Sequence, residues 1–210
     1  MRSAVRARLL ATAVHLPASY RVMDETRDRI ARSGSAYVPP PGLLEDLTGV
    51  QGVHEKGEGE QASDLAAIAA RKALSTAGAG IDEVDLLLFA SCSQDLIEPA
   101  TAHITAAKLG ATCPAFDVKN ACNSVLNGIE TAAAFIETGR YRTVLIASGE
   151  APTLATRWDV PDHEAFLRAM PGYTLSDAGA ALLLTATPAT DTGPGVLATV
   201  FGADSTAWEN

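Results

Sequence analysis

Three cysteines stand in this sequence, Cys92, Cys113 and Cys122, and the last is placed for chemistry. It lies in the run Pro114-Ala115-Phe116-Asp117-Val118-Lys119-Asn120-Ala121-Cys122-Asn123-Ser124. A short apolar stretch ends there in a polar turn. The pattern that follows predicts a helix from about Cys122 to Thr138. Val125, Leu126, Ile129, Ala132, Ala133, Ala134, Phe135 and Ile136 make it apolar, and Glu130 and Glu137 share one face. A helix apolar over most of its circumference is normally buried. A cysteine in its first turn meets the positive end of the helix dipole and free N–H groups, and both favour the thiolate. That is the setting of a nucleophile. The plainer alternative is a small apolar residue at a helix start.

The other groups that could react are less well placed. Cys113 begins a buried strand, where packing is expected. Cys92 ends one, where packing is expected and lining of a site is the alternative. The three cysteines form neither a metal-ligand spacing nor an even disulfide set. Reduced thiols and cytoplasmic residence are the expectation. His15, His54, His103 and His163 are scattered, and a lone helical histidine such as His103 is expected to be structural or exposed. In Ser176-Asp177-Ala178-Gly179-Ala180-Ala181, the carboxylate is expected to satisfy local backbone donors, and Gly179 to allow a tight approach.

The elements that must position these residues alternate. Arg8 to Leu16 reads as a strand, Asp24 to Ser33 as an exposed helix, and Leu43 to Leu47 as a short helical piece. Val50 to Glu60 is polar and Gly-rich, a loop. Ser63 is expected to cap a helix from Asp64 to about Ala77. Val84 to Ser91 is a continuous apolar run, as in a strand covered on both faces. Pro99 opens a helix ending at Gly110. Cys113 to Val118 and Thr143 to Ser148 are strands on either side of the cysteine helix. Ala180 to Ala186 and Val196 to Ala203 are two more. Strands alternating with helices imply a mostly parallel sheet. Ala151 to Leu175 is one long connection, with a helical turn or two over Asp162 to Met170.

Composition narrows the function. The 210 residues suffice for one substantial core or two small ones. Hydrophobic residues reach 47% with only 5% aromatic, so Ala, Leu, Val and Ile carry the core, which suits helices packed closely on strands. With 16 basic and 25 acidic side chains the net charge is -9, which disfavours nucleic acid. No apolar run approaches the ~18 residues of a membrane span. Met1 to Arg8 carries three arginines without a signal-peptide core behind them.

Three motifs resemble one family. Phe116-Asp117-Val118 with Ala121-Cys122, Gly128, the Ile136 to Tyr141 turn and Val144-Leu145-Ile146-Ala147-Ser148-Gly149-Glu150 resembles the nucleophile segment of the ketoacyl synthase III enzymes, which are thiolase-like condensing enzymes. Ser176 to Ala181 resembles that family's Gly-Asp-Gly-Ala-rich turn, and Leu47-Thr48-Gly49-Val50 its Thr-Gly-Ile segment. Order and spacing fit, from about Leu9 to about Ala203.

The resemblance implies a layered thiolase-like α/β fold. Residues 1–210 would form its N-terminal half, with a mixed, mostly parallel sheet and a buried nucleophile helix. It implies a Claisen condensation of acyl thioesters, in polyketide or fatty-acid-type biosynthesis, with Cys122 as acyl acceptor. No permanently bound cofactor is implied; acyl-CoA or acyl carrier protein thioesters are the substrates. The family's catalytic His and Asn lie in its second half, so a complementary half would supply them, and the complete fold would form a homodimer. The priming enzymes of the family carry a Trp and an Arg that sandwich the coenzyme A adenine. Leu43 and Leu47 stand at those positions, which favours a carrier protein or a differently held thioester. Asp95-Leu96-Ile97-Glu98-Pro99 matches a loop that crosses the family's dimer interface. A glutamate at Glu98 is a feature of the subgroup that joins two acyl chains without decarboxylation, where it acts as base in the partner's site. The plainer alternative for Glu98 is an acid favoured at a helix start. Two other functions fit the same motifs: an acyltransferase passing the acyl group to oxygen or nitrogen, and a non-catalytic partner subunit.

Overall fold

A computed structural model describes residues 4–206, so the first three residues of the arginine-bearing N-terminus lie outside it. The elements are β1 (Val5–His15), β2 (Ser19–Val22), α1 (Met23–Arg32), α2 (Leu43–Thr48), β3 (Gly52–Glu55), α3 (Ala62–Ala77), β4 (Leu86–Ala90), α4 (Thr101–Leu109), β5 (Ala115–Val118), α5 (Ser124–Glu137), β6 (Thr143–Glu150), α6 (His163–Tyr173) and β7 (Ala178–Pro188). Five strands form one sheet in the order β1-β7-β6-β4-β5, and β2 pairs with β3 in a second.

β4 is the middle of the design. All of Leu86 to Ala90 are buried. Side chains alternate along a strand, so Leu87 and Phe89 pack under α3 and α4, while Leu86, Leu88 and Ala90 pack under α5. β4 pairs in parallel with β5 on one side and β6 on the other. Crossovers between parallel strands are right-handed. The chain steps one way through α4 and back the other way through α5, so the two helices land on opposite faces.

The sheet is mixed, as expected, but its parallel part stops at β6. β7 runs antiparallel to both β6 and β1. The reason is the 151–177 connection. Its helix α6 packs in a separate cluster, with Phe166 and Tyr173 against Met23, Ile30 and Leu44, rather than on the sheet. Without a crossover helix the chain turns back beside β6.

α3 lies very close to the sheet. Ala66, Ala69, Ala70 and Ala73 give it a thin face. Gly149 and Gly179 meet that face, where a Cβ would strike the carbonyl oxygens of Ala62 and Leu65 respectively. Gly179 thus has the tight approach expected of it. The cap of α3 is Gln61, in a capping box with Asp64, not Ser63. Ser63 is buried inside the first turn and engaged elsewhere.

Three other expectations change. Val50 to Glu60 contains β3, which pairs with Ser19–Val22 far back in the chain. Only Val53 of β3 is buried, so no apolar pattern marks it. Val196 to Ala203 is no strand. The chain there touches the outer edge of β1 only around Gly195, through Leu9 N–H to Pro194 O at 3.0 Å and Val196 N–H to Ala7 O at 2.9 Å. Finally, α4 starts at Thr101, two residues after Pro99.

An extra residue in β1, between Leu9 and Ala11, breaks its register. Before it Val5, Ala7 and Leu9 pack with α5; after it Ala13 packs with α3. The switch turns Val14 to the α5 side, which α5 does not reach, and leaves it 67% exposed.

Around β2, β3, α1, α2 and α6 a small lobe buries Arg21 between Glu55 (2.8 Å) and the face of Trp158 (5.2 Å). Burial pushes the Glu55 carboxyl up, but hydrogen bonds from Arg21 and Arg29 outweigh it and hold the group below its usual range. Asp177 ties this lobe to the sheet. Fully buried, it accepts bonds from Lys56 N–H (2.9 Å), Thr153 N–H (3.0 Å) and Thr153 O–H (2.5 Å). The structural role expected of it is met, but its donors lie 24 and 121 residues away rather than in the local turn. Asp177→Ala strands those donors, and urea unfolding should report a loss of about 2–3 kcal/mol.

Candidate functional site

The C-terminal ends of parallel strands open toward ligands in α/β sheets. Here three such ends converge. Cys92 follows β4, Cys122 follows β5, and Glu150 ends β6. All three line one cleft of about 960 Å³, with Ser93, Val125, Ser148, Leu154 and Leu175 among its other walls. Its mix of aliphatic and small polar side chains suits an acyl chain that ends in a polar thioester.

Cys122 sits on a tight turn rather than in the helix. α5 begins at Ser124 with Asn123 as its cap, so the cysteine lies just outside and is exposed. The turn passes through Ala121 at φ 45°, a left-handed backbone that a residue with a Cβ adopts only under constraint. The constraint is visible. The buried Ser124 hydroxyl accepts from Asn120 N–H at 2.9 Å and donates to Ala121 O at 2.7 Å. The Asn127 side-chain oxygen accepts from the side chains of Asn120 (2.6 Å) and Asn123 (3.3 Å). The thiol is therefore presented by a rigid corner at the head of α5.

The helix behind it is buried on one side. Gly128 lies against β4 and β6, where a Cβ would come within 3.2 Å of Ala90 and 3.3 Å of Ile146. Ala132, Ala133 and Ile136 complete the buried face. The opposite side carries Glu130 and Glu137, with Leu126 55% exposed. The all-round burial expected from composition is not reached within this chain.

The other candidates separate. Cys92 is exposed in the cleft, not packed. Cys113 packs at the border of the α3–α4 core, and burial, aided by nearby Asp85, pushes its thiol up. Glu98 is exposed on the loop after β4 and is not among the residues lining the cleft that holds Cys122 of its own chain. None of the four histidines lines that cleft. His54 is engaged by Pro17 O at 2.7 Å and by the edge of Tyr20, His163 packs on Tyr37, and His103 is exposed on α4.

Four supporting groups stand beside the expected site residues. The Ser124 and Asn127 contacts follow from helix spacing, since both lie within two turns of Cys122. Asp117 accepts from Thr101 N–H (3.1 Å) and Ala102 N–H (2.7 Å), capping α4 from the neighbouring strand. Glu150 accepts from Cys92 N–H (2.6 Å), Ser93 N–H (3.1 Å) and Ser93 O–H (2.8 Å). Neither of these last two contacts has a local signal in the sequence.

A cysteine on a constrained corner at the head of a helix, over the ends of β4–β6, defines the class: a thiolase-like condensing-enzyme fold. Comparison with known proteins narrows it. Residues 116–205 match the family 3-oxoacyl-[acyl-carrier-protein] synthase III. An acyl-CoA:acyl-CoA alkyltransferase from Xanthomonas campestris is 37% identical over 156 residues, 68% of this chain and 46% of that protein. A β-ketoacyl-[acyl-carrier-protein] synthase III from Neisseria meningitidis is 34% identical over 155 residues, 73% of this chain and 46% of that protein. The crystal structure of cerulenin-bound OleA from Xanthomonas campestris superposes with a TM-score of 0.77 at 31% identity, over 86% of this chain and 57% of that one. The chain is ketoacyl synthase III-like, and it spans about half the length of the curated relatives it matches.

Alkylation tests the thiol assignment. Iodoacetamide at neutral pH, followed by peptide mass spectrometry, should label Cys122 first and the half-buried Cys113 last. Earlier labelling of Cys92 or Cys113 would count against Cys122 as nucleophile.

Proposed function

We propose that this chain is the N-terminal half of a ketoacyl synthase III-like condensing enzyme that joins two acyl thioesters, with Cys122 as acyl acceptor. The observation that carries the proposal is the exposed Cys122 on its corner, opening into a cleft of about 960 Å³ with aliphatic walls. In the first step the Cys122 sulfur attacks the thioester carbonyl. The donor thiolate leaves, on coenzyme A or a carrier protein, and an acyl-cysteine remains. In the second step the α-carbon of another acyl thioester loses a proton and attacks that acyl carbonyl. The carbon–sulfur bond breaks, the electron pair returns to the Cys122 sulfur, and a β-ketoacyl thioester departs.

The second step needs a base when the attacking thioester has no carboxylate to lose. Glu98 is assigned that task in the site of a partner protomer. Its exposure, away from the cleft of its own chain, supports a role in trans. β5 supports a homodimer. It is an edge strand with Phe116 38% exposed, and open strand edges invite pairing. The oxyanion and proton-transfer groups would come from a complementary half bearing His and Asn. Val14 and Leu126, both largely exposed, are the kind of apolar surface such a half would cover. The thioester is held without an adenine sandwich at Leu43 and Leu47; Leu47 is 53% exposed and Leu43 packs into the lobe. Among the described residues no helix is long and apolar enough to cross a membrane.

Two measurements test this reading in the assembled protein. Incubation with a saturated acyl-CoA or an acyl carrier protein thioester should add one acyl mass to Cys122, and Cys122→Ala should remove the adduct. An enzyme that carries the adduct but passes it only to oxygen or nitrogen is an acyltransferase instead, and a protein that takes no acyl group is a non-catalytic partner. Glu98→Gln should still acylate Cys122 but condense about a hundredfold more slowly, the scale of general-base catalysis. Condensation at the normal rate would refute the base.

A further inference from the structure

The loop that carries Glu98 is held at both ends by carboxylates belonging to other strands. At its start Glu150, the last residue of β6, takes Cys92 N–H on one oxygen (2.6 Å) and Ser93 N–H and O–H on the other (3.1 and 2.8 Å). The same Ser93 oxygen accepts Ala151 N–H at 2.9 Å, closing the junction. At its end Asp117, in β5, takes Thr101 N–H and Ala102 N–H on separate oxygens (3.1 and 2.7 Å). Between them Asp95 accepts Ser63 N–H at 3.0 Å and the Ser63 hydroxyl, and its own N–H reaches Thr101 Oγ1 at 3.1 Å. The stretch left projecting is Leu96 to Pro99. Ile97 is 88% exposed and Leu96 51%, so this apolar tip finds no cover in its own chain.

We propose that Glu150 and Asp117 are positioning residues for Glu98. The proposal rests on the reading of Glu98 as a base acting in a partner's site. A base on a loop serves only if the loop is stiff, because misplacement by about 1 Å can cost about a hundredfold in rate. Two carboxylates, each fixing successive backbone groups, provide that stiffness. They also key it to the nucleophile, since Asp117 sits in the strand that leads to Cys122 and Glu150 lines its cleft. One frame therefore sets both the thiol of its own site and the acid offered to the neighbour's. An amide cannot replace either carboxylate. Its single oxygen accepts, but its NH₂ meets a donor that was bonded before.

A double-mutant cycle tests this. In the assembled enzyme, with a saturated long-chain acyl-CoA as both donor and acceptor, condensation is measured per acylated Cys122. Asp117→Asn and Glu150→Gln should each lower that rate tenfold or more, approaching the loss of about a hundredfold set by positioning. In a Glu98→Gln background neither should lower it further, because residues acting through one group are not additive. Ser93→Ala removes only one bond to Glu150 and should give a smaller loss with the same dependence on Glu98; it serves where a carboxylate variant fails to fold. Exchange of solvent deuterium into the α-carbon of the acyl thioester should fall in parallel. Equal losses in both backgrounds would make the carboxylates general structural ties and overturn the proposal, as would normal rates in Asp117→Asn and Glu150→Gln. A normal rate in Glu98→Gln alone would instead refute the base reading beneath it.

Discussion

The fold depends on one constraint: β4 is apolar on both faces and must be covered on both. The constraint is met by flanking it with parallel strands on each side, β5 and β6, joined by helices that right-handed crossovers deliver to opposite faces. The functional consequence is geometric. Parallel strands end at the same edge of the sheet, so the loops after β4, β5 and β6 are brought together whatever their sequence. Cys92 and Cys122 lie on the loops after β4 and β5, and Glu150 ends β6. The cleft is thus a by-product of burying β4, and the chemistry is added by the residue types placed at its rim.

Carboxylates give the rim its rigidity. Asp117, Glu150 and Asp177 come from separate motifs, yet all three spend their oxygens on backbone N–H groups of remote segments. Such charge-assisted bonds are stronger than neutral ones, and each carboxylate accepts several donors at once. They fasten loops that bury little apolar surface of their own. The corner at Ala121 uses neutral groups instead, Ser124 and Asn127, which hold a strained backbone without setting a fixed negative charge beside the thiol. Close backbone packing supplies the remaining rigidity. Gly149 and Gly179 let α3 rest directly on β6 and β7, so the strand that ends in Glu150 is supported along its length.

Much of this was legible in the residues. The apolar runs located β4 and β6 and the main helices, because burial on both faces leaves a continuous signal and burial on one leaves a periodic one. Cys122 stood out because a polar turn before a small-residue helix is a local feature. Asp177 and Gly179 hold the structural roles expected of them, although the donors to Asp177 are remote rather than local. The signal failed where pairing is long-range. β3 buries one side chain, so nothing in Val50 to Glu60 announces a strand. The direction of β7 turned on where α6 packs. The cap of α4 comes from Asp117 in another strand, while the sequence offered Pro99.

By itself the sequence determined the candidate thiol, the α/β alternation and the family-like order of motifs, all written in neighbouring residues. Only the tertiary structure decided that Cys122 lies outside its helix on a constrained corner, that Cys92 opens into the same cleft, and that Glu98 stands clear of its own site on a loop tied at both ends. The corner is held by bonds spanning at most 7 residues, but the ties of the loop join segments 15 to 58 residues apart. Such long-range bonds form only when the sheet has already brought their partners within about 3 Å, and no local pattern records them.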